Sequence, residues 1–404
     1  MKNLYYGWIV VILGSLILMA NSLAIYGFGV FLKPLTTEFG WERGAISGAF
    51  SVGMLVHGFL SIATGRLSDH YGTRLLATIA GLSLSTAFFA MSRINSLWQV
   101  YLVWGLFVGL TISCSVVPIT SAITRWFTKR RGIAIAISGA GFSLGAMVTP
   151  LIVQWLISGY GWRQSFIILG FIPVILTTIT AQFIKTETTS KEDESPGESE
   201  TGESQLNKVL ISGLSFSQAI STSRFWIFAL LHFGIGFCLQ MITVHIVPHA
   251  IDTGIPQIAA ASTLSIIAGS SFASRFLAGV VSDRTNGRRV LTGSLVLMTL
   301  SLVLLIFAND YLLFIIFSVV FGLAHGGIVT VLAMIVPELF GLKYMGTIWG
   351  AIMLFGTVGG AVGAPASGII FDLTQSYDIS FIIGIGVSAS AVILSFFLLQ
   401  PIKI

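Results

Sequence analysis

The chain has 404 residues, of which 55% are hydrophobic and only 9% are Asp, Glu, Lys or Arg, and its mean hydropathy is +0.92. A soluble globular domain carries about 25% charged residues, so this composition excludes a soluble fold and predicts a protein that crosses the membrane many times. The net charge of +5 is expected to lie in loops at the membrane surface, and it does not indicate nucleic-acid binding.

Twelve apolar runs follow one another along the chain. A helix needs about 20 apolar residues to cross a bilayer, and backbone groups in hydrocarbon have to be satisfied within the segment, which favours helices. The first run is interpreted as an uncleaved helix because its apolar character continues to Leu32. The runs lie near residues 7–32, 45–64, 75–92, 97–124, 132–158, 164–184, 225–250, 257–281, 290–308, 311–336, 344–371 and 379–400.

A polar segment divides these runs into two groups of six. Residues 186–208 contain seven acidic side chains among Ser, Thr, Gly and Pro, and such a composition cannot bury enough apolar surface to fold. We expect a cytoplasmic tether followed by a short interfacial helix within 210–223. The predicted fold class is therefore an all-α membrane protein with an N-terminal six-helix half (1–185), an acidic linker (186–221) and a C-terminal six-helix half (222–404).

The basic residues are distributed unequally between the two sides of the membrane. With the N-terminus placed inside, sixteen of the 21 Lys and Arg residues fall in inside loops, four fall in outside loops, and Arg275 remains within a span. The positive-inside rule then predicts that both termini of this multi-pass protein are cytoplasmic, and the expected location is the cell membrane.

A short motif occurs once in each half, as GRLSDHYGTR at residues 65–74 and GVVSDRTNGRR at residues 279–289. Duplicated membrane units are typical of transporters that build a site between two halves. The motif resembles the signature loop that follows the second span of the major facilitator superfamily, and its second copy follows the eighth span. The resemblance implies the twelve-helix major facilitator fold. It also implies gating or structural charge contacts for Asp69, Arg74, Asp283 and Arg289.

Two further stretches resemble the monocarboxylate porter family. Residues 125–141 are similar to the signature between its fourth and fifth spans, and residues 5–8 (YYGW) are similar to a degenerate form of its opening motif. In that family an Arg in the eighth span binds the substrate carboxylate, and Arg275 matches it. Ser271 stands where the mammalian branch has an Asp, so the family's Asp-based proton coupling is not implied here. Ile352 stands where the related oxalate carriers have a Lys, which argues against a dicarboxylate.

Arg275 lies eight residues before Asp283, about 12 Å from the cytoplasmic end of its helix at 1.5 Å per residue. A charge at that depth is unfavourable in lipid, so we expect a water-filled cavity and an anionic partner. The alternative is that the side chain extends to the cytoplasmic surface. All 16 acidic residues fall in loops or at span ends. The expected partner is therefore an anionic substrate, and because Arg275 is the one cation at this depth, we expect a substrate with one carboxylate.

The resemblance implies that the first, fourth, fifth, seventh, eighth, tenth and eleventh spans line the transport path. His325 lies midway along the tenth span and is the candidate for proton coupling, because histidine has an ordinary pKa of about 6.5. A hydrogen-bonded structural histidine is the alternative, as helix packing is for the aromatic candidates. The candidate substrate-binding residues are Arg275, Ser271, His325, Tyr26, Ser115, Phe142 and Trp349.

The sequence contains no phosphate-cradling loop, no His/Cys set with metal spacing and no Ser/His/Asp arrangement, so no enzyme, cofactor or metal site is predicted. The predicted function is secondary active transport of a small monocarboxylate such as lactate or pyruvate, with a proton, by alternating access in a monomer. Two alternatives remain open: an exchanger of organic anions, and a transporter-like membrane sensor with the linker as its output surface. The expected partners are a small organic anion, a proton and the lipid bilayer.

Overall fold

The structure is a computed structural model that describes residues 2–127, 131–184, 214–341 and 345–399. These residues form twelve long helices and a short one, Phe216–Ile220, which lies within the predicted interfacial segment. The predicted linker 186–208 lies outside the described residues. The long helices are α1 (Lys2–Phe39), α2 (Arg43–Tyr71), α3 (Thr73–Met91), α4 (97–126), α5 (131–160), α6 (162–179), α7 (Ser223–Asp252), α8 (Gln257–Arg284), α9 (Gly287–Ile306), α10 (Tyr311–Phe340), α11 (Met345–Thr374) and α12 (Asp378–Leu399).

Eleven helical segments in the described ranges are long and apolar enough to cross a membrane. One of them, Ile137–Ile179, has 43 residues, which is about 65 Å of helix and about twice the thickness of a hydrocarbon core. Gly161 interrupts this segment with φ 76° and ψ 163°, a backbone conformation that favours glycine. The segment therefore contains two crossings, α5 and α6, and the chain has the twelve predicted spans.

Contacts with α1 show that the chain reverses at Gly161. Trp162, at the start of α6, donates a hydrogen bond to Glu38 near the end of α1. The carbonyl of Phe183, just beyond α6, accepts a 2.6 Å hydrogen bond from the Tyr6 hydroxyl near the start of α1. The α6 helix thus runs antiparallel to α1 along its whole length.

The helix ends lie on two faces of the molecule. The terminal face is the one where α1 begins and α12 ends; on it, Arg288 donates to the Leu398 carbonyl at 2.8 Å. The far face is the opposite one, and the turns at residues 40–42, 92–96, 161, 253–256, 307–310 and 375–377 lie on it. The two halves, α1–α6 and α7–α12, meet where α2 packs on α11, α5 on α8, and α1 on α7.

Several helices extend beyond the predicted spans. The α1 helix continues to Phe39, so Lys33, which follows the predicted span 7–32 and was one of the four basic residues expected outside, lies within the helix. The α2 helix continues to Tyr71, although its predicted span ends at residue 64. The predicted boundaries were wrong here because an apolar run marks only the part of a helix inside the hydrocarbon, whereas the backbone hydrogen bonds continue into the polar interface.

Candidate functional site

Arg275 lies on α8, nine residues before Arg284 at the terminal-face end, which is about 13 Å along the helix. The side chain is half-buried, and its Nε atom is buried without a hydrogen-bond partner among the described residues. No carboxylate in the described ranges forms an ion pair with it. A guanidinium in this position is unfavourable unless an anion binds to it.

Residues from both halves lie around Arg275. Tyr26 on α1 and His325 on α10 are within electrostatic range of the guanidinium. The Tyr26 ring packs edge-to-face on Phe142 of α5, with 6.0 Å between the ring centroids. Four of the predicted site residues therefore form one group, to which α1 and α5 contribute from one half and α8 and α10 from the other.

Ser271 connects this group to α10. It lies four residues before Arg275, which places both side chains on one face of α8. Its hydroxyl is 3.1 Å from Nδ1 of His325, and the Ser271 side chain is buried. The backbones of α8 and α10 are close at this level, because a Cβ atom on Gly326 would lie 2.1 Å from the Ser271 carbonyl oxygen. The orientation of the His325 ring is therefore restricted by α8.

Ser115 and Trp349 have other contacts. The Ser115 hydroxyl is fully buried, donates to the Thr111 carbonyl at 2.7 Å and accepts from Nδ2 of Asn21 at 2.6 Å. The Trp349 ring lies 5.9 Å from the ring of His232, between their centroids. These contacts connect α4 to α1 and α11 to α7, and each of them stays within one half.

Two buried amide side chains were missed by the sequence analysis. Oδ1 of Asn21 and Oε1 of Gln240 are buried and have no hydrogen-bond partner in the described part of the chain. The Gln240 side chain packs on α11, because a Cβ atom on Gly360 would lie 2.7 Å from its Cγ atom. An amide within an apolar run was the signal that could have identified both residues.

The charged residues implied by the repeated motif lie at the terminal face. The side chains of Asp69 and Asp283 lie outside the described part of the structure. Arg74 donates two hydrogen bonds to Oε1 of Gln182 on the N-terminal half, from Nε at 2.9 Å and from Nη2 at 2.7 Å. Arg289 is exposed and lines an apolar groove between α8, α9 and α12. The gating role of these four residues remains a prediction.

A polar cluster joins the two halves at the far face. Asp252 on α7 accepts a hydrogen bond from Lys33 of α1 and pairs with Arg43 of α2, with Nη1 and Oδ2 2.7 Å apart. The Asp372 carboxylate on α11 accepts from the backbone N–H groups of Arg43 at 2.9 Å and Gly44 at 2.7 Å. Asp372 thus caps the N-terminus of α2 from the other half. We call these five residues the far-face cluster.

Close backbone contacts accompany the far-face cluster. A Cβ atom on Gly368 of α11 would lie 2.5 Å from Cα of Gly44, and one on Gly29 of α1 would lie 2.6 Å from the Thr243 carbonyl oxygen of α7. Three glycines nearer the terminal face have more space around them: Gly139 on α5, Gly279 on α8 and Gly350 on α11. A Cβ atom on any of them would meet no described atom within 4 Å. The halves are therefore closed against each other at the far face.

Twelve membrane helices form two halves that are in close contact at one face, and the cation between the halves has no ion pair among the described residues. These features define the architecture of a secondary carrier. The sequence model of the Major Facilitator Superfamily matches residues 14–287 and 263–403. The chain belongs to the Major Facilitator Superfamily, and it is a secondary transporter and not an enzyme.

Individual relatives cover almost the whole chain. The chain is 26% identical over 384 residues to Monocarboxylate transporter 13 of Rattus norvegicus, and the aligned region covers 94% of this chain and 85% of that protein. It is 24% identical over 354 residues to the uncharacterized MFS-type transporter YhjX of Escherichia coli (strain K12), with 86% and 84% covered. The solved structure of a bacterial homologue of the human lysosomal transporter Spinster, inward-facing and unoccupied, matches with a TM-score of 0.78 at 15% identity, over 97% of this chain and 96% of that one. That match shows the fold.

Proposed function

We propose that this chain carries a small monocarboxylate across the membrane, together with a proton, by alternating access between its two halves. The observation that carries the proposal is Arg275, whose buried Nε has no partner among the described residues, in a group formed by both halves. The similarity to proteins named monocarboxylate transporters supports the same substrate class.

The chemistry of the site favours one carboxylate. A guanidinium presents two parallel N–H donors that match the two oxygens of a carboxylate. Tyr26, within electrostatic range of the guanidinium, offers a hydroxyl as a further donor. At the position where the oxalate carriers have a second cation, the chain has Ile352, which is fully buried and apolar. One bound carboxylate would therefore neutralise the site, and a dicarboxylate would leave a charge without a partner.

We assign the proton to His325. The ring of this histidine lies within electrostatic range of Arg275, so a proton on the ring is repelled by the free guanidinium. A carboxylate that neutralises Arg275 removes this repulsion. Substrate and proton would then bind with positive coupling, which is the requirement for symport.

We also place the terminal face in the cytoplasm and the protein in the cell membrane. The support is the distribution of basic residues along the sequence: relative to the twelve predicted spans, sixteen fall on the side of the termini and four on the other side. In this orientation the far-face cluster closes the outside of the transporter.

The experiment that tests the proposal is uptake of labelled monocarboxylates into proteoliposomes, with and without an inward proton gradient. We expect uptake that the gradient accelerates, inhibition by the unlabelled acid and little inhibition by its uncharged amide. Arg275→Lys keeps the charge but lacks the planar fork, and it should transport poorly. Uptake that ignores the gradient and requires an anion inside the vesicle would replace symport with exchange. The absence of uptake of every carboxylate would refute the substrate class.

A further inference from the structure

The far-face cluster continues inward to a buried histidine. Nη1 of Arg43 donates to the Tyr377 hydroxyl at 2.8 Å, and that hydroxyl is 3.0 Å from Nδ1 of His245. Nε2 of His245 is 2.7 Å from the Ala364 carbonyl oxygen. His245 and Tyr377 are almost completely buried. This hydrogen-bonded chain connects α2 of one half to α7, α11 and the turn before α12 of the other half.

The partners determine where the hydrogens lie. A carbonyl oxygen only accepts, so Nε2 of His245 carries a hydrogen and donates it to Ala364. A guanidinium only donates, so the Tyr377 oxygen accepts from Arg43 and its own hydrogen points to Nδ1 of His245. Burial raises the pKa of the Tyr377 phenol, so the hydroxyl keeps this hydrogen. With a neutral His245, the Tyr377 hydroxyl and both ring nitrogens of His245 each have a hydrogen-bond partner.

A proton on Nδ1 is incompatible with this arrangement. Nδ1 would become a donor, and the Tyr377 hydrogen would lose its acceptor in a buried place. The charged imidazole would also lie near the Arg43 guanidinium, which is the charged group in electrostatic contact with His245. Separation of the two halves removes both penalties, because it takes Arg43 away from Tyr377 and admits water.

Among the described residues, no carboxylate is in electrostatic contact with His245 that could compensate a charged imidazole. Asp252 pairs with Lys33 and Arg43, and Asp372 is engaged by the N-terminus of α2. On α8 and α10, which also pack on α7, no described group is in electrostatic contact with His245. In the described part of the chain, the titratable and charged groups around the far-face end of α7 are Lys33 of α1, Glu42 before α2, Arg43 of α2, His249 and Asp252 of α7, Asp372 of α11, Tyr377 before α12 and Asp378 of α12.

We infer that His245 is a proton-binding site of the outer gate, neutral whenever the far face is closed and charged only when it is open. Acid in the compartment at the far face then favours the state that opens toward that compartment. As a step of a transport cycle the inference rests on the proposed proton-coupled function. The opening itself requires no substrate, so it can be measured separately.

The test measures the distance between the halves at the far face. Thr37 of the N-terminal half and Gln375 of the C-terminal half line the same far-face pocket and are exposed. Both residues are replaced by Cys in a parent chain whose two native cysteines are removed by Cys114→Ser and Cys238→Ala. The new cysteines are spin-labelled, and the distance between the labels is measured by pulsed electron paramagnetic resonance without substrate. The pH is lowered from about 8 to about 5, across the ordinary histidine range. We expect the long-distance population to rise about tenfold, which corresponds to about 1.4 kcal/mol, because a buried hydroxyl that loses its acceptor destabilises the closed state.

The variant His245→Gln retains one donor and one acceptor but cannot gain a proton in this range. We expect its long-distance population to change less than about twofold. The matched control is His57→Gln on α2, whose histidine contacts Ser61 of its own helix and lies outside the far-face cluster. This control should retain the response of the parent chain.

Tyr377→Phe provides a second, independent variant. It removes the hydroxyl whose hydrogen would lose its acceptor on protonation of His245, so the pH response should become smaller. This variant tests the inference even if His245→Gln does not fold. An unchanged distance distribution of the parent chain at the two pH values would overturn the inference, and so would a full response in His245→Gln. Neither result would contradict the proposed carboxylate transport, which is tested by uptake. Conversely, if no carboxylate were taken up, the proposed function would fail, but the pH response of the gate could still be measured.

Discussion

A close backbone approach of the two halves at the far face provides a steric test of the closed state. A Cβ atom on Gly368 would lie 2.5 Å from both Cα and the backbone nitrogen of Gly44, whereas ordinary contacts of a Cβ begin at 3.4 Å. Gly368→Ala would therefore force the helices about 1 Å apart, because both neighbours are backbone atoms that cannot rotate away. Overpacking of a tight contact costs about 1–3 kcal/mol, which is a decrease of roughly 5- to 140-fold in the ratio of closed to open molecules.

The spin-label pair at Thr37 and Gln375 measures this shift directly, and carboxylate uptake measures its consequence. We expect a longer distance in Gly368→Ala at about pH 8 and slower uptake, because the transporter has to close the far face in every cycle. Gly350→Ala on the same helix is the matched control, since its Cβ would meet no described atom within 4 Å and the helix propensity changes equally. If the two variants give the same distances and rates, the far-face contact does not control the closed state.

Three further predictions concern the substrate, the proton and the linker. Arg275→Ala should weaken binding of a monocarboxylate to purified, folded protein at least about tenfold, because a charge-assisted hydrogen bond is lost; unchanged affinity would make Arg275 a structural residue. His325→Gln should flatten the dependence of uptake on pH between about 5 and about 8, and an unchanged profile would remove His325 from the coupling. Replacement of residues 190–204 by a Gly/Ser tether of equal length should leave uptake within about twofold; abolished uptake at normal membrane levels would contradict a passive tether.

The number and order of the helices could be read from the sequence, because lipid imposes a simple rule on every segment. A helix that crosses hydrocarbon needs a long apolar run, and the apolar runs of this chain are separated by polar turns. The reversal at Gly161 follows the same rule, since 43 helical residues are too long for one crossing. The ends of α1 and α2 could not be predicted from it, because the rule does not apply in the polar interface.

The Arg275 site was accessible to sequence reasoning for a related reason. A charge deep in an apolar run is unfavourable without a partner, so Arg275 stands out from the residue pattern alone. The structure brings Tyr26, Ser271 and His325 into its neighbourhood. Whether these residues bind substrate remains a prediction. The Ser115 hydroxyl shows the limit of such reasoning, because its hydrogen bonds to Asn21 and Thr111 could not be seen from the sequence.

By itself, the sequence determined that this chain is a duplicated, twelve-helix membrane protein with one cation in the interior of a span. Only the tertiary structure decided which polar groups of the two halves meet. Arg43 and Tyr377 are 334 residues apart, and their hydrogen bond depends on how α2 is rotated and tilted against the other half. The sequence does not specify that rotation, because helices in lipid are apolar on most sides. Their packing is set by small residues such as Gly44 and Gly368, whose partners are identified only when the helices are in contact.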